Sequence, residues 1–160
     1  MIDTNNPMQE KQPFLILTTR DKEDVYHVFL ANPTNQKYTK VKKLTGAFTS
    51  AGNGEDLLET SKAVFDLPDL SPHSSIEIDT IHYLERDFTV WYQLDLATEQ
   101  GTWKYLRGSV PKSLPDGDIK SVDLFKEEGW VLELQERNDD RSIDDVVKTM
   151  HMESRYITYE

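Results

Sequence analysis

The chain contains no cysteine, and this absence excludes a disulfide framework, a thiolate nucleophile and a zinc-thiolate site. Glycine is scarce as well, with 7 residues among 160. The one glycine-rich stretch, residues 50–54, is not followed by the helix pattern that a phosphate-binding loop requires. No hydrophobic run approaches the roughly 18 apolar residues of a membrane span. We therefore expect a soluble protein without a membrane anchor.

Basic residues are few relative to acidic ones, since 18 Lys and Arg stand against 29 Asp and Glu and give a net charge of -11. The excess is concentrated after residue 113, where thirteen acids face six bases. Nucleic acids and anionic membranes are bound through clustered Lys and Arg. The charge balance therefore predicts no nucleic-acid or membrane partner, and favours a protein partner that carries basic residues.

The N-terminal residues 1–13 are polar and lack the apolar run of a signal peptide. If the chain is full length, this predicts a cytoplasmic protein. A length of 160 residues corresponds to about one domain and suffices to bury a substantial core.

Turn signals divide residues 13–113 into short segments rich in β-forming residues. Seven such segments can be distinguished: Phe14–Thr19, Val25–Leu30, Tyr38–Phe48, Leu57–Phe65, Ser75–Tyr83, Phe88–Leu96 and Thr102–Ser109. Their number and spacing are typical of an immunoglobulin-like antiparallel β-sandwich. We therefore predict an all-β domain of about seven strands.

Residues 114–160 form an acidic C-terminal extension that we expect to pack on the same domain. Alternating apolar residues predict one more strand over 130–136. Ser142 is a good helix N-cap, and the apolar spacing after it predicts an amphipathic helix over 143–152.

The strongest hairpin signal joins Phe88–Leu96 to Thr102–Ser109. Alternation along the first segment predicts that Phe88, Val90, Tyr92, Leu94 and Leu96 face the core, whereas Thr89, Trp91, Gln93 and Asp95 face away from it. The loop length then decides whether Trp103 and Tyr105 share the face of Trp91. A five-residue loop places Trp103 and Tyr105 on the outward face beside Trp91. A four-residue loop turns Trp103 and Tyr105 into the core and leaves only Trp91 outside. We favour the core-facing arrangement, because aromatic residues in strands are usually buried.

In the outward register, one sheet face would combine aromatic, amide and guanidinium groups, which is the composition of recognition hot spots. The candidate binding residues on this face are Trp91, Gln93, Trp103, Tyr105 and Arg107.

The C-terminal extension offers a second candidate binding surface, an acidic one that suits a basic partner. Its candidate residues are Asp139, Asp140, Asp144 and Asp145. Together these features predict a noncatalytic protein-binding module.

Carbohydrate recognition is the alternative function, because Trp and Tyr rings can stack on sugar rings while Gln93 and Asp95 hydrogen-bond hydroxyl groups. A glycosidase stands third, since 29 acids allow almost any pair of carboxylates to be proposed. An exposed sheet edge could also pair two copies of the chain into a homodimer.

Metal and cofactor sites are not indicated. The four histidines share no spacing that a helix or turn would bring together. The aspartates at positions 116, 118 and 123 resemble a calcium loop, but no glycine occupies the turn-forming position. We predict no cofactor, no metal ion and no catalytic residue.

One local basic cluster lies at positions 37, 40, 42 and 43, which are all lysine. These ammonium groups could meet an acidic partner or could protect a solvated strand edge. We favour the strand edge. The nearby Gly46 predicts a bulge or kink in the same strand.

Overall fold

A computed structural model describes residues 12–51, 56–59, 62–82, 88–111, 120–122, 127–137, 142–145, 148 and 157–159. Within these ranges the chain forms twelve strands, and residues 143–145 and 148 are helical. The strands are β1 (Phe14–Thr18), β2 (Val25–Asn32), β3 (Tyr38–Ala51), β4 (Asp56–Glu59), β5 (Lys62–Leu67), β6 (Ser74–His82), β7 (Thr89–Thr98), β8 (Trp103–Val110), β9 (Lys120–Val122), β10 (Glu127–Leu132), β11 (Gln135–Glu136) and β12 (Ile157–Tyr159). In this part of the chain, no helix has the length and apolar character needed to cross a membrane.

Two antiparallel sheets pack together, which confirms the predicted all-β sandwich. Sheet A has the strand order β6-β2-β1-β10-β9. Sheet B has the order β11-β8-β7-β3-β5-β12, with β4 also paired to β3. Among the described pairings only β12 with β5 is parallel. The finer immunoglobulin-like classification stays a prediction.

The main core lies between the sheets and is built largely from alternate residues of strands such as β1, β2, β7 and β8. Leu15 and Leu17 enter it from β1, and Tyr92, Leu94 and Leu96 enter it from β7. Burying a leucine-sized side chain contributes about 1.5 to 3 kcal/mol. The alternation seen in the sequence of β7 therefore predicted its core face correctly.

Strand β1 is apolar on both faces. Leu15 and Leu17 face the main core, whereas Phe14 and Ile16 belong to a second buried cluster that includes Ala31 of β2. The strand lies between β2 and β10 in the middle of sheet A. A continuous apolar run is the sequence signature of such a strand.

Two segments predicted as single strands are each two strands. The segment Leu57–Phe65 contains parts of β4 and β5, which pair with different stretches of the long strand β3. The segment 130–136 contains the end of β10 in sheet A and all of β11 in sheet B. The residues between them, Glu133 and Leu134, carry the chain from one sheet to the other.

This crossover depends on a glycine in β8. The side chain of Leu134 is fully buried, and a Cβ placed on Gly108 would lie 2.5 Å from Leu134 Cδ2. A larger residue at 108 would therefore force the Leu134 side chain to shift. Because β10 pairs with β1 and β11 pairs with β8, residues of the predicted extension are hydrogen-bonded into both sheets.

The prediction that the lysine cluster protects a strand edge is wrong, because β3 lies inside sheet B between β7 and β5. Lys43 is buried, and its Nζ donates a hydrogen bond to the carbonyl of Ile78 in sheet A. Ile78 falls at a register shift between β2 and β6 and has no ladder partner there. The ammonium also lies 4.1 Å from the centre of the Phe65 ring. Burial lowers the pKa of Lys43.

On the outer face of sheet A, His27 connects two carboxylates. Its Nδ1 lies 2.6 Å from Glu77 Oε1, and its Nε2 lies 2.8 Å from Asp21 Oδ2. Both ring nitrogens donate only in the protonated imidazole. Hydrogen bonding to Glu77, and then to Asp21, raises the pKa of His27. In its protonated form the ring thus ties the β1–β2 turn to β6.

Candidate functional site

The hairpin between β7 and β8 closes with a shorter loop than either length considered from the sequence. The Thr98 N–H donates to the Thr102 carbonyl at 3.0 Å, which leaves the three-residue turn Glu99–Gly101. Gly101 adopts a φ of 82°, a left-handed conformation that glycine adopts readily. The register pairs Ala97 with Trp103, Asp95 with Tyr105, Gln93 with Arg107 and Trp91 with Ser109.

This register decides the orientation of the aromatic residues. A loop of three residues and one of five differ by two, so both keep the same side chains on the same face. Trp103 and Tyr105 therefore point outward together with Trp91. The core-facing arrangement that we favoured is wrong. All five candidate binding residues of the hairpin occupy the outer face of sheet B.

Cross-strand pairing arranges that outer face in rows. From β8 across β7 to β3 the rows are Trp103, Ala97 and Lys40; Tyr105, Asp95 and Lys42; Arg107, Gln93 and Leu44; and Ser109, Trp91 and Gly46. Their surroundings differ along each row. Trp103 and Arg107 of β8 are exposed to solvent, and we call this the open side. Arg137 and Ile143 from the C-terminal part of the chain cover outward residues of β7, β3 and β5, and we call this the covered side.

The open side is dominated by Trp103. At 43% exposure it is the one exposed large hydrophobic side chain among the described residues. Its ring lies parallel to that of Tyr105, with a 4° angle between the planes and 6.1 Å between the centroids. Arg107, the next outward residue of β8, is exposed as well. We call Trp103, Tyr105 and Arg107 the β8 row.

Trp103 also stands between two surface cavities. One has a volume of about 600 Å³, and its polar lining groups include the amides of Gln36 and Gln100 and the hydroxyl of Thr102. The other has a volume of about 320 Å³ and includes Lys42 among its lining residues. The indole thus forms a wall of both cavities, and a ligand seated in either one would contact it.

The covered side is held by a buried ion pair. The guanidinium of Arg137, just after β11, donates through Nη2 to Asp95 Oδ1 and through Nη1 to Gln93 Oε1 at 2.8 Å. The backbone N–H of Ile143 donates to the other Asp95 oxygen at 2.7 Å. Arg137 also lies 5.3 Å from the centre of the Tyr105 ring. Burial raises the pKa of Asp95, while the Ile143 amide and the Arg137 guanidinium oppose that rise.

The start of the helix rests on the apolar part of this covered side. Ile143 is fully buried in a cluster with Leu44 and Val64. The Ser142 Oγ accepts a hydrogen bond from the Asp145 N–H at 3.1 Å, so the predicted N-cap is confirmed. The later part of the predicted helix, apart from residue 148, lies outside the described residues.

Trp91 belongs to the covered side. It is partly buried against the Ile143 cluster, and the Lys62 Nζ lies 5.8 Å from its ring centre. A Cβ on Gly46 would lie only 2.7 Å from Trp91 Cζ2, so the glycine makes room for the indole. The ladder of β3 with β7 runs regularly past Gly46, whereas the register of β3 with β5 and β4 changes by one residue between Thr45 and Phe48.

The predicted acidic surface is described only in part. Asp144 and Asp145 are exposed at the start of the helix. Asp144 is paired within the chain, since its Oδ1 lies 2.7 Å from the Nζ of Lys42. Asp139 and Asp140 lie outside the described residues. Among the described residues, no group of three or more potential metal ligands comes together.

Sequence reasoning missed the network around Asp95. The alternation of β7 placed Asp95 outward with other polar residues, which is typical of a solvated position. Its partner Arg137 follows 42 residues later, and no local pattern links the two. The only signal for such a network was that Asp95 shares a strand face with Trp91 and Gln93.

No protein-family model matches the chain, and no curated protein matches its sequence.

Proposed function

We propose that the chain is a noncatalytic, cytoplasmic protein-binding module whose binding surface is the β8 row. The exposure of Trp103 is the observation that carries this proposal. Trp, Tyr and Arg are the residue types most enriched at binding hot spots. In the β8 row they occupy successive outward positions of a single strand.

The row is also held in place before binding. Tyr105 is flanked by the parallel Trp103 ring and by the buried Arg137 guanidinium. Side chains whose rotamers are already restricted lose less entropy when a partner binds, and this favours affinity. Tyr105 thus supplies a rigid centre for the surface.

Charge supports a partner that carries basic residues. The chain has a net charge of -11, which would accelerate encounter with a cationic protein at low salt. Asp144 and Asp145 are exposed residues of the acidic surface, and Asp144 pairs with Lys42 within the chain. We therefore assign the acidic surface to long-range attraction and the β8 row to contact. Pairing of two copies through a sheet edge remains a competing proposal.

Carbohydrate binding is a second candidate, and the two cavities beside Trp103 favour it. Their amide and hydroxyl groups, including Gln36, Gln100 and Thr102, suit the hydroxyls of a sugar stacked on the indole. The hydrogen-bonding pair expected from the sequence suits this role less well, because Gln93 and Asp95 are engaged by Arg137.

A capture experiment tests the proposal. The wild-type chain and a Trp103→Ser variant would be immobilised and exposed to a lysate of the source cells and to a glycan array. A Lys22→Ser variant serves as the control, because Lys22 lies in the exposed β1–β2 turn away from the β8 row. We expect one protein to bind the wild type and the control and to bind Trp103→Ser at least tenfold more weakly.

The alternatives give different results. Equal capture of the protein by Trp103→Ser would contradict the proposed surface. Glycan binding that disappears in Trp103→Ser, without protein capture, would establish the carbohydrate function instead. A partner identified as a second copy of the chain would be checked by its effect on the sedimentation coefficient.

A further inference from the structure

A third cavity lies at the other end of the same outer face. Its volume is about 570 Å³, within the range of roughly 300 to 1,000 Å³ typical of small-molecule sites. Trp91 and Gln93 of β7 and Arg107 and Ser109 of β8 line it, together with residues of the β10–β11 crossover. Trp103 is not among its lining residues.

Arg107 differs from the other arginines in the described part of the chain. Arg20 lies 3.4 Å from Asp24, and Arg137 is paired with Asp95. The Arg107 side chain makes no ion pair or hydrogen bond within the described residues. In a chain with 29 acidic and 18 basic residues, an unpaired guanidinium in the wall of a cavity points to an anionic ligand.

The other polar groups of the cavity are suited to donate hydrogen bonds. Arg137 can only donate, so the oxygen of Gln93 must face it and the amide NH2 group of Gln93 remains for another partner. The hydroxyls of Thr89 and Ser109 can donate as well. Glu133 is the one carboxylate in the lining, and it is exposed.

An apolar wall completes the site. The indole of Trp91 lies over Gly46 and is fixed on one side by the Ile143 cluster. A fixed aromatic ring next to hydrogen-bond donors can stack a flat apolar group while the donors bind a charged one. The guanidinium fork matches the two oxygens of a carboxylate or phosphate.

We propose that this cavity binds a small molecule that carries an oxyanion on a flat apolar body. The proposal does not depend on the protein-binding function: the two sites share Arg107, but they use different aromatic residues, Trp91 in this cavity and Trp103 in the β8 row. It assigns the oxyanion to Arg107 and the flat body to Trp91. Carboxylate and phosphate are the two forms of that oxyanion.

Nuclear magnetic resonance titration of the ¹⁵N-labelled full chain tests this. The probes are 2-naphthoate, 2-naphthyl phosphate and the neutral 2-naphthylmethanol. The chain has three tryptophans, and single Trp→Phe variants assign their indole N–H signals. The signals of Trp91, Trp103 and Trp130 then report on the cavity, the β8 row and the core, respectively.

We expect at least one anionic probe to shift the Trp91 signal in a saturable way and to bind at least tenfold more tightly than the neutral probe. Arg107→Gln should weaken that binding about tenfold or more, and Arg107→Lys should weaken it less. Arg20→Gln, which removes an exposed arginine elsewhere, should leave it unchanged. Whichever anionic probe binds more tightly identifies the preferred oxyanion.

Three results would overturn the proposal. The first is the absence of saturable binding by both anionic probes at millimolar concentration. The second is equal binding by wild type and Arg107→Gln, with the amide spectrum of the variant showing a folded chain. The third is a shift of the Trp103 signal in place of the Trp91 signal, which would assign the probe to the β8 row.

Discussion

The two sides of the outer face of sheet B differ in whether another part of the chain covers them. On the β3 side, Leu44 and Val64 point outward and are covered by Ile143. On the β8 side, Trp103 and Arg107 point outward and stay exposed. Purely aliphatic side chains in outward positions require a cover, whereas Trp and Arg tolerate water at their polar ends. The comparison explains why one side needs a cover from elsewhere in the chain and the other does not.

The largest effect is expected from breaking the ion pair that holds the cover. Arg137→Met leaves the Asp95 carboxylate buried without its cation, and we expect a loss of about 3 to 5 kcal/mol in the free energy of unfolding. Urea denaturation at neutral pH measures it. The control Arg107→Met, on the open side, should change stability by less than about 0.5 kcal/mol.

A double variant separates the loss of the pair from the loss of packing. Replacing Asp95 with Leu in the Arg137→Met background removes the uncompensated charge. Stability should then recover in part, because two apolar groups can substitute for a buried ion pair. If the double variant were less stable than Arg137→Met, the buried charge would not be the cause of the first loss.

A smaller effect is expected from removing the apolar part of the cover. Ile143→Ala should cost about 2 kcal/mol, at the low end of the usual range for core truncations, because a helix end can shift toward the sheet. It should also increase quenching of Trp91 fluorescence by acrylamide, measured with Trp103 and Trp130 replaced by Phe. Unchanged quenching would contradict the packing of Trp91 against the cluster of Ile143, Leu44 and Val64.

A pH dependence should set sheet A apart from the covered side of sheet B. The pKa of His27 is raised in the folded chain, so its stabilisation is complete below the unfolded pKa of about 6.5. That stabilisation is lost as the pH rises through the folded pKa. The pKa of Asp21 is lowered, chiefly by its hydrogen bond with His27, so its contribution is lost only as the pH falls below about 3.8.

Thermal unfolding measured from pH 5 to 9 at constant ionic strength tests this assignment. We expect the wild type to lose stability above about pH 6.5. His27→Gln should show a smaller loss of stability with rising pH. Arg137→Met should show the same loss as the wild type, but from a lower stability at pH 5. A loss of equal size in His27→Gln would assign the pH dependence to other groups.

The smallest effect on stability is expected on the open side. Trp103→Ser removes a side chain that is 43% exposed and stacks on Tyr105, so the free energy of unfolding should fall by about 1 kcal/mol, less than in the variants of the cover. The same variant should lose partner capture. A large loss of stability would mean that Trp103 supports the fold, and the contrast between the two sides would then disappear.

The fold was predictable from the sequence because its signals are local. The alternation around Tyr92 and the continuous run at Phe14–Thr18 each follow from how a strand buries one face or both. The hairpin was also predictable, but its register was not. A change of one residue in loop length reverses every side chain, and the turn residues Glu99–Gly101 do not specify the length.

The covered side could not be predicted, because its contacts are distant in sequence. Asp95 and Arg137 carry no pattern that identifies them as partners. Lys43 was expected in solvent, but its Nζ donates inside the sandwich to the carbonyl of Ile78, which lies at the register shift between β2 and β6. The aromatic composition of the site was visible in the sequence, whereas the division between covered Trp91 and open Trp103 required the structure.

The position of β10 has a consequence for the integrity of the chain. Strand β10 lies between β1 and β9, so it occupies an edge of the apolar strand β1 that would otherwise be unpaired. A protease that removed the residues after 113 would expose the backbone groups of Leu15–Thr18 beside a buried apolar surface. Such an edge is a template for pairing with other chains, so the clipped protein should aggregate. In the intact chain, β10 of the acidic third thus pairs with this edge of an apolar strand and covers it.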